Sequence, residues 1–166
     1  MDKIDEYILK TLQLDGRKKN RELAKGAGLA PSTMLERVKK LEEKGIVKGY
    51  QAVIDPQKLG INAQGFACIS LNRHNVEGIQ KLEREIGKIA NVRACYHITG
   101  RFDYLLHVAA HSLNGLGDII KDELATIPGI AKIETFLVYS EIKPDGGWPI
   151  EAVESQPPLN KRSKND

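Results

Sequence analysis

From residue 64 onward the apolar residues change period from segment to segment, and that alternation limits the fold more than any other feature of the chain. The stretch "QGFACISLN" (64–72) reads as a strand. "VEGIQKLEREIGKI" (76–89) reads as a helix, with Val76, Ile79, Leu82, Ile86 and Ile89 on one stripe. "VRACYHIT" (92–99) and "YLLHVAAH" (104–111) are strands joined by "GRFD". "LGDIIKDELATI" (116–127) is a helix with Leu116, Ile119, Ile120 and Leu124 inward, ended by Pro128-Gly129, and "IAKIETFLVYSEI" (130–142) is the last strand. The order β-α-β-β-α-β predicts a ferredoxin-like sandwich with two helices on one face of an antiparallel sheet. Apolar residues occupy both alternations of the first strand, Phe66 and Cys68 one way, Ala67, Ile69 and Leu71 the other. Helices can cover only one of those faces, so the other is expected to meet a second copy of the sheet in a homodimer.

The first sixty residues follow a different pattern. "KIDEYILKTLQLDG" puts Ile4, Ile8, Leu9 and Leu12 at helical spacing before Asp15-Gly16 stops the helix. "NRELAKGAGL" reads as a short helix with Asn20 as its cap, Leu23, Ala24 and Ala27 inward and Gly28 as the exit turn. A third helix follows Pro31, a residue suited to the first helical position. "GIVKGYQAVID" then alternates like a strand pair, or wing, closed by Asp55-Pro56. The full organisation expected is α+β. It comprises an N-terminal winged helix-turn-helix of three helices (1–50), a linker strand and turn (51–63), a βαββαβ domain (64–142) and a flexible tail rich in Pro, Gly and polar residues (143–166).

The net charge of +3 conceals a local concentration: residues 17–48 hold 10 Lys or Arg against 4 Asp or Glu. Clustered positive charge is the footprint of a polyanion. In the third helix Met34, Leu35, Val38 and Leu41 are expected to face the other helices. Thr33, Glu36, Arg37, Lys40 and Lys44 are expected to face out, flanked by Ser32 and Lys39. A short helix, a Gly turn and an amphipathic helix form the helix-turn-helix pattern, whose second helix enters the major groove of double-stranded DNA. Ser32, Thr33, Glu36 and Arg37 are then the candidate base readers; Arg37 could fork onto guanine and Glu36 accept from cytosine. Arg17, Lys18, Lys19, Arg21, Lys40 and Lys48 are cast as phosphate contacts, which set affinity without reading sequence.

Other chemistries find little support. There is no Ser/His/Asp set, paired-carboxylate site, P-loop or dinucleotide fingerprint, so neither an enzyme nor a cofactor is expected. Cys68 and Cys95 are too few for a zinc motif and lie in apolar runs, where buried free thiols are expected. His74, His97, His107 and His111 read as structural or surface residues, because the i,i+4 spacing of His107 and His111 falls on a strand and does not converge. No apolar run is long enough to span a membrane and the start carries charges where a signal peptide is apolar, so a cytoplasmic protein is expected. Trp148 is unusual for a tail, and a loosely held aromatic is expected there.

Over residues 2–142 the chain resembles the Lrp/AsnC, or feast/famine, transcriptional regulators. The resemblance rests on "DGR…N.EL", "GL.P…LERVKKLEEKGIVKGY", "TGRFDYLL" and "IPGI…ET" in that order. It implies a DNA-binding N-terminal half and a ligand-sensing, oligomerising C-terminal half, with dimers assembling into larger particles, commonly octamers. It implies an amino-acid effector as well, and makes "TGRFDY" (99–104) the effector loop. There Gly100-Arg101 could offer N–H donors to a carboxylate and Asp103 accept from an ammonium, beside Tyr104. Arg101 stands where the family often has an acid, which suggests preference for an anionic group or a pairing with a neighbouring subunit.

Two further departures from the family pattern fall on the first half. Ala30 replaces the usual side-chain cap before Pro31, with Thr33 and Glu36 as a substitute capping box. Gly26 interrupts the preceding helix at a cost of about 1 kcal/mol relative to Ala. Two competing readings are an architectural DNA-bridging protein without an effector, and a ferredoxin-like regulatory subunit of a metabolic enzyme.

Overall fold

Asp2 opens the first helix, α1 (Lys3–Leu14), through a reciprocal cap: its carboxylate accepts the N–H groups of Ile4 and Asp5, while Asp5 accepts the N–H of Asp2. These bonds satisfy donors that the helix cannot reach. The computed structural model describes residues 1–72 and 76–151. They fall into two units, one of residues 1–53 with the stretch from 143 onward and one of residues 54–142.

In the first unit α1 is followed by α2 (Asn20–Ala27) and α3 (Pro31–Glu43). Asn20, expected as the cap of α2, is instead its first residue. Lys19 holds the cap position, and the Glu22 carboxylate accepts its N–H. Gly28 ends α2 in the left-handed region at φ 67°, a conformation that costs Gly nothing sterically. Ala30 precedes Pro31 without a side-chain cap, and Thr33 lies inside the helix, so the expected Thr33–Glu36 box does not form. Ile8, Leu9, Leu23, Ala24, Met34, Val38 and Leu41 close the core. Leu35, expected inward, is 54% exposed. It lies about 100° around the helix from Met34, at the border of the apolar stripe.

Gly26 acquires a reason here. A Cβ at that position would collide with the Tyr7 hydroxyl and ring of α1. The gap in helix propensity is the space into which Tyr7 fits.

Two expectations for this unit are corrected. Residues 46–55 form no β-ladder: Ile46 and Val47 fold back to donate to the Leu41 carbonyl at 3.0 and 3.2 Å, and no described strand pairs with the extended stretch that follows. Extended backbone becomes a strand only beside a neighbour, and the exposed Val53 and Ile54 have none among the described residues. The start of the C-terminal tail, by contrast, is docked. The Gln13 side-chain amide brackets the backbone of Trp148, donating to its carbonyl at 2.9 Å and accepting its N–H at 2.6 Å. Ile150 packs against the three-helix core while the Trp148 ring stands exposed. The remainder of the expected tail, 152–166, lies outside the described residues, as does His74.

The second unit has a four-stranded antiparallel sheet of β1 (Ala63–Leu71), β2 (Val92–His97), β3 (Tyr104–Ala110) and β4 (Ile130–Leu137) in the order β2-β3-β1-β4. Two helices, α4 (Val76–Ile86) and α5 (Leu113–Asp118), cover one face. Ala67, Ile69, Leu106 and Val108 of the sheet meet Leu82, Ile86, Leu116 and Leu124 there. Val76, expected on the apolar stripe, begins α4 and is exposed. Ser112 caps α5 by accepting the Gly115 N–H, so that helix starts earlier than its apolar pattern suggested. Beyond α5 the chain continues as a wider turn through Ile119–Leu124, in which the Ala125 N–H donates to Ile120. That wider turn lets residues five apart, Ile119 and Leu124, both reach the core. β4 ends at Leu137, short of the expected 142, and Tyr139 and Ile142 are exposed. Cys68 is buried; Cys95, on edge strand β2, is exposed, contrary to expectation.

Gly26→Ala is therefore expected to lower stability in the parent, despite a helix-propensity gain of about 1 kcal/mol in a neutral site. In a Tyr7→Ala background the same change should stabilise. Urea unfolding of the four-member cycle checks this, and a gain in both backgrounds would refute the collision.

Candidate nucleic-acid interface and effector loop

Burial of Met34, Val38 and Leu41 turns the opposite side of α3 to solvent. Ser32, Thr33, Glu36, Lys40 and Lys44 are all exposed on it. Arg37, expected among them, does not share that face. Three residues advance about 300°, so Arg37 lies about 60° from Met34, beside the apolar stripe. Its Nη1 donates to Asp2 Oδ2 and to Asp5 Oδ1, each at 2.8 Å. The Asp5 N–H and then Arg37 hold the Asp2 carboxyl below its ordinary pKa. Neither aspartate was singled out in the sequence, although Asp2-x-x-Asp5 at a helix start is itself a capping signal.

Arg17, Lys18 and Lys19 occupy the turn between α1 and α2, which is closed by Asp15 accepting the N–H groups of Arg17 and Lys18. They are exposed, as are Arg21, Lys40 and Lys48. Among the described residues none of these six cations has an ion-pair partner. Unneutralised cations around an exposed helix face are what a phosphate backbone requires.

The effector loop divides into an outer and an inner part. Gly100, at φ 124°, and Arg101 are exposed. Arg101 pairs with Glu134 of its own chain at 3.1 Å and lies over the Phe102 ring, so its partner is internal. Asp103 is used structurally: its carboxylate accepts the Leu71 N–H at 2.8 Å, where the register of β1 with β4 shifts. Tyr104 is buried, stacks on His97 and donates its hydroxyl to Glu83 of α4. Glu83 and Glu134 were not anticipated, because long-range charge pairing leaves no local pattern. A cleft of about 380 Å³ runs between α4 and β2 beside this group, lined by Glu83, Ile86, Cys95, His97 and Tyr104 among others. His107 and His111 have separate partners, Gln64 for the first and the Gly60 carbonyl for the second.

Residues 1–48 match the winged helix-turn-helix DNA-binding model, and residues 64–148 match the Lrp/AsnC ligand binding domain. The chain belongs to the Lrp/AsnC family. It is 34% identical over 143 residues to the leucine-responsive regulatory protein of Escherichia coli K12, covering 86% of this chain and 87% of that one. A transcriptional regulator from Neisseria meningitidis, solved in complex with L-methionine, is 33% identical with a TM-score of 0.82. That match covers 87% of this chain and 93% of the other. An AsnC family regulator from Agrobacterium tumefaciens is 28% identical with a TM-score of 0.85, covering 90% and 97%. This Lrp/AsnC chain is thus a DNA-binding transcriptional regulator with a ligand-binding domain. No helix among its described residues is long and apolar enough to cross a membrane.

His107 lies on the sheet face that the two helices leave uncovered. Burial first, and Arg93 second, push the His107 pKa below its ordinary 6.5, with Glu141 opposing. The unfolded chain takes up a proton at about 6.5, where the folded one resists it. Stability should therefore be full above that pH, fall as pH drops below it, and level off once pH passes under the folded value. His107→Gln should remove this component, as measured by thermal unfolding at pH 7.5 and 5.

Proposed function

We propose that the protein is a sequence-specific transcription regulator whose α3 reads the major groove and whose second unit senses a small molecule, most simply an amino acid. The observation that carries the DNA half is the exposed polar face of α3 in a unit whose six exposed cations have no ion-pair partner among the described residues. Ser32, Thr33 and Glu36 are the proposed base readers, near the N-terminal turn of α3. Arg17, Lys18, Lys19, Arg21, Lys40 and Lys48 are the proposed phosphate contacts. A cytoplasmic site of action is proposed, in keeping with a duplex-DNA partner.

The sensing half is supported by the exposed backbone at Gly100-Arg101 and by the methionine complex of the Neisseria relative. Backbone N–H donors to the ligand would come from this loop. Asp103 and Tyr104 would act by shaping it, since their polar groups are engaged within the fold. An effector changes DNA binding only if it binds one arrangement of the particle better than another.

A homodimer is proposed on the open face of the sheet. Its open face carries Tyr96 and Phe136, both half exposed, beside Phe66 and Leu105, and a second copy would bury it. Two recognition helices would then meet half-sites about one helical turn apart, or a multiple of that. Further assembly of dimers, as in an octamer, would allow one particle to bend DNA.

Duplexes selected from a random library, with footprinting on the regulator's own promoter, test the DNA half. Glu36→Ala should change preference at one base position by about 1–3 kcal/mol. Lys18→Ala should weaken all sites alike and lower the salt slope by about one. A parent protein that selects no sequence would leave the architectural reading in possession. Calorimetric titration with a panel of amino acids tests the sensing half. Because Arg101 is tied to Glu134, Arg101→Ala should alter effector affinity less than Gly100→Val, which strains the loop backbone at a φ of 124° that a β-branched residue disfavours. Equal titrations for the parent and Gly100→Val would exclude the loop as the site.

A further inference from the structure

The capping box of α1 uses one carboxylate oxygen of each aspartate. Asp2 Oδ1 accepts the N–H groups of Ile4 and Asp5, and Asp5 Oδ2 accepts the N–H of Asp2. One oxygen on each remains, Asp2 Oδ2 and Asp5 Oδ1, and both are taken by a single nitrogen of α3, Arg37 Nη1. The two protons of that nitrogen are fully engaged by these carboxylates. Charge-assisted bonds of this kind are short, directional and sensitive to rotation of either helix. Arg37 and Asp5 are about a third and a fifth exposed and Asp2 about half exposed, so the Asp5 bond is the more sheltered of the two.

The position of Arg37 gives the contact its consequence. It lies one residue beyond Glu36 and within about a turn of Ser32 and Thr33, the proposed readers. That end of α3 has no side-chain cap, because Ala30 supplies none. Apolar packing at Met34 prevents α3 from leaving α1 and α2, but apolar contact is non-directional and tolerates rotation about the helix axis. The Arg37 bonds do not.

We propose that Arg37 is a positioning residue which fixes the rotation of the recognition helix by clamping it to Asp2 and Asp5, so that the start of α1 is part of the DNA-reading apparatus. This rests on α3 being the recognition helix. The charge balance makes the idea testable against simple electrostatics. Two carboxylates around one guanidinium leave this spot net negative, and a net negative spot on a DNA-binding unit opposes affinity. Removing the carboxylates should tighten binding if charge alone matters and weaken it if the clamp matters.

The test uses the full-length protein and the tightest duplex that the parent selects from a random library. The variant Asp2→Ser/Asp5→Asn keeps a capping oxygen at position 2 while removing both carboxylates. Binding by this variant should be about fivefold to tenfold weaker than by the parent, in line with loss of a modest ion-pair network. Arg37→Ala should show a similar loss with the ranking of bases unchanged, and adding it to Asp2→Ser/Asp5→Asn should weaken binding by less than twofold further. Thermal unfolding of each variant establishes that it is folded at the assay temperature. Equal or tighter binding by Asp2→Ser/Asp5→Asn would overturn the clamp, as would relaxed preference at a single base pair in Arg37→Ala. A parent that selects no duplex fails the DNA-reading function itself, a result distinct from either.

Discussion

Packing of one narrow apolar stripe on α3 organises the DNA-binding unit. Met34, Val38 and Leu41 fill the space left by Ile8 and Leu9 of α1 and by Leu23 and Ala24 of α2. Burying each large side chain stabilises the unit by about 1.5–3 kcal/mol, well above what a half-exposed ion pair supplies. The stripe therefore decides that α3 docks and which side it turns outward. The proposed base readers lie on that outward side, and the Arg37 contact to Asp2 and Asp5 sets the finer rotation. The space available is tight enough that the Tyr7 hydroxyl occupies the place of a side chain at Gly26.

The second unit is held together differently. β1 lies at the centre, paired with β3 on one side and β4 on the other, and α4 and α5 cover only one face of the resulting sheet. The uncovered face combines aromatic rings with His107, which stacks on Phe66 and bonds Gln64. A face of that composition is costly to leave in water, and a second copy of the chain is the simplest cover. The docked segment around Trp148 returns the chain after β4 to the three-helix unit. The chain thus passes between the two units twice, near residue 53 and again near residue 143.

Much of this was legible in local patterns. Period changes marked the four strands and the two covering helices of the second unit, Pro31 marked the start of α3, and Gly28 marked the end of α2. The errors cluster where local pattern and partner disagree. Residues 46–55 alternate like a strand but have no strand to pair with, and Cys95 sits in an apolar run on an edge strand that α4 leaves uncovered. Asn20 is a good cap by composition, yet Lys19 with Glu22 takes that role. The Pro- and Gly-rich start of the tail looked mobile by composition and is instead held by a side-chain amide from a residue 135 positions away.

By itself, the sequence determined the element order, the α+β class, the amphipathic character of α3 and the positive charge around it, because each depends on neighbours within a few residues. Tertiary structure alone decided where individual polar groups are used. Arg37 looks like a free cation until α1 brings Asp2 and Asp5 to its side, and Asp103 looks like a ligand acceptor until β1 presents the Leu71 N–H. A hydrogen bond is short-ranged in space but indifferent to separation along the chain, so the partner of a side chain is settled only when the fold brings distant residues together.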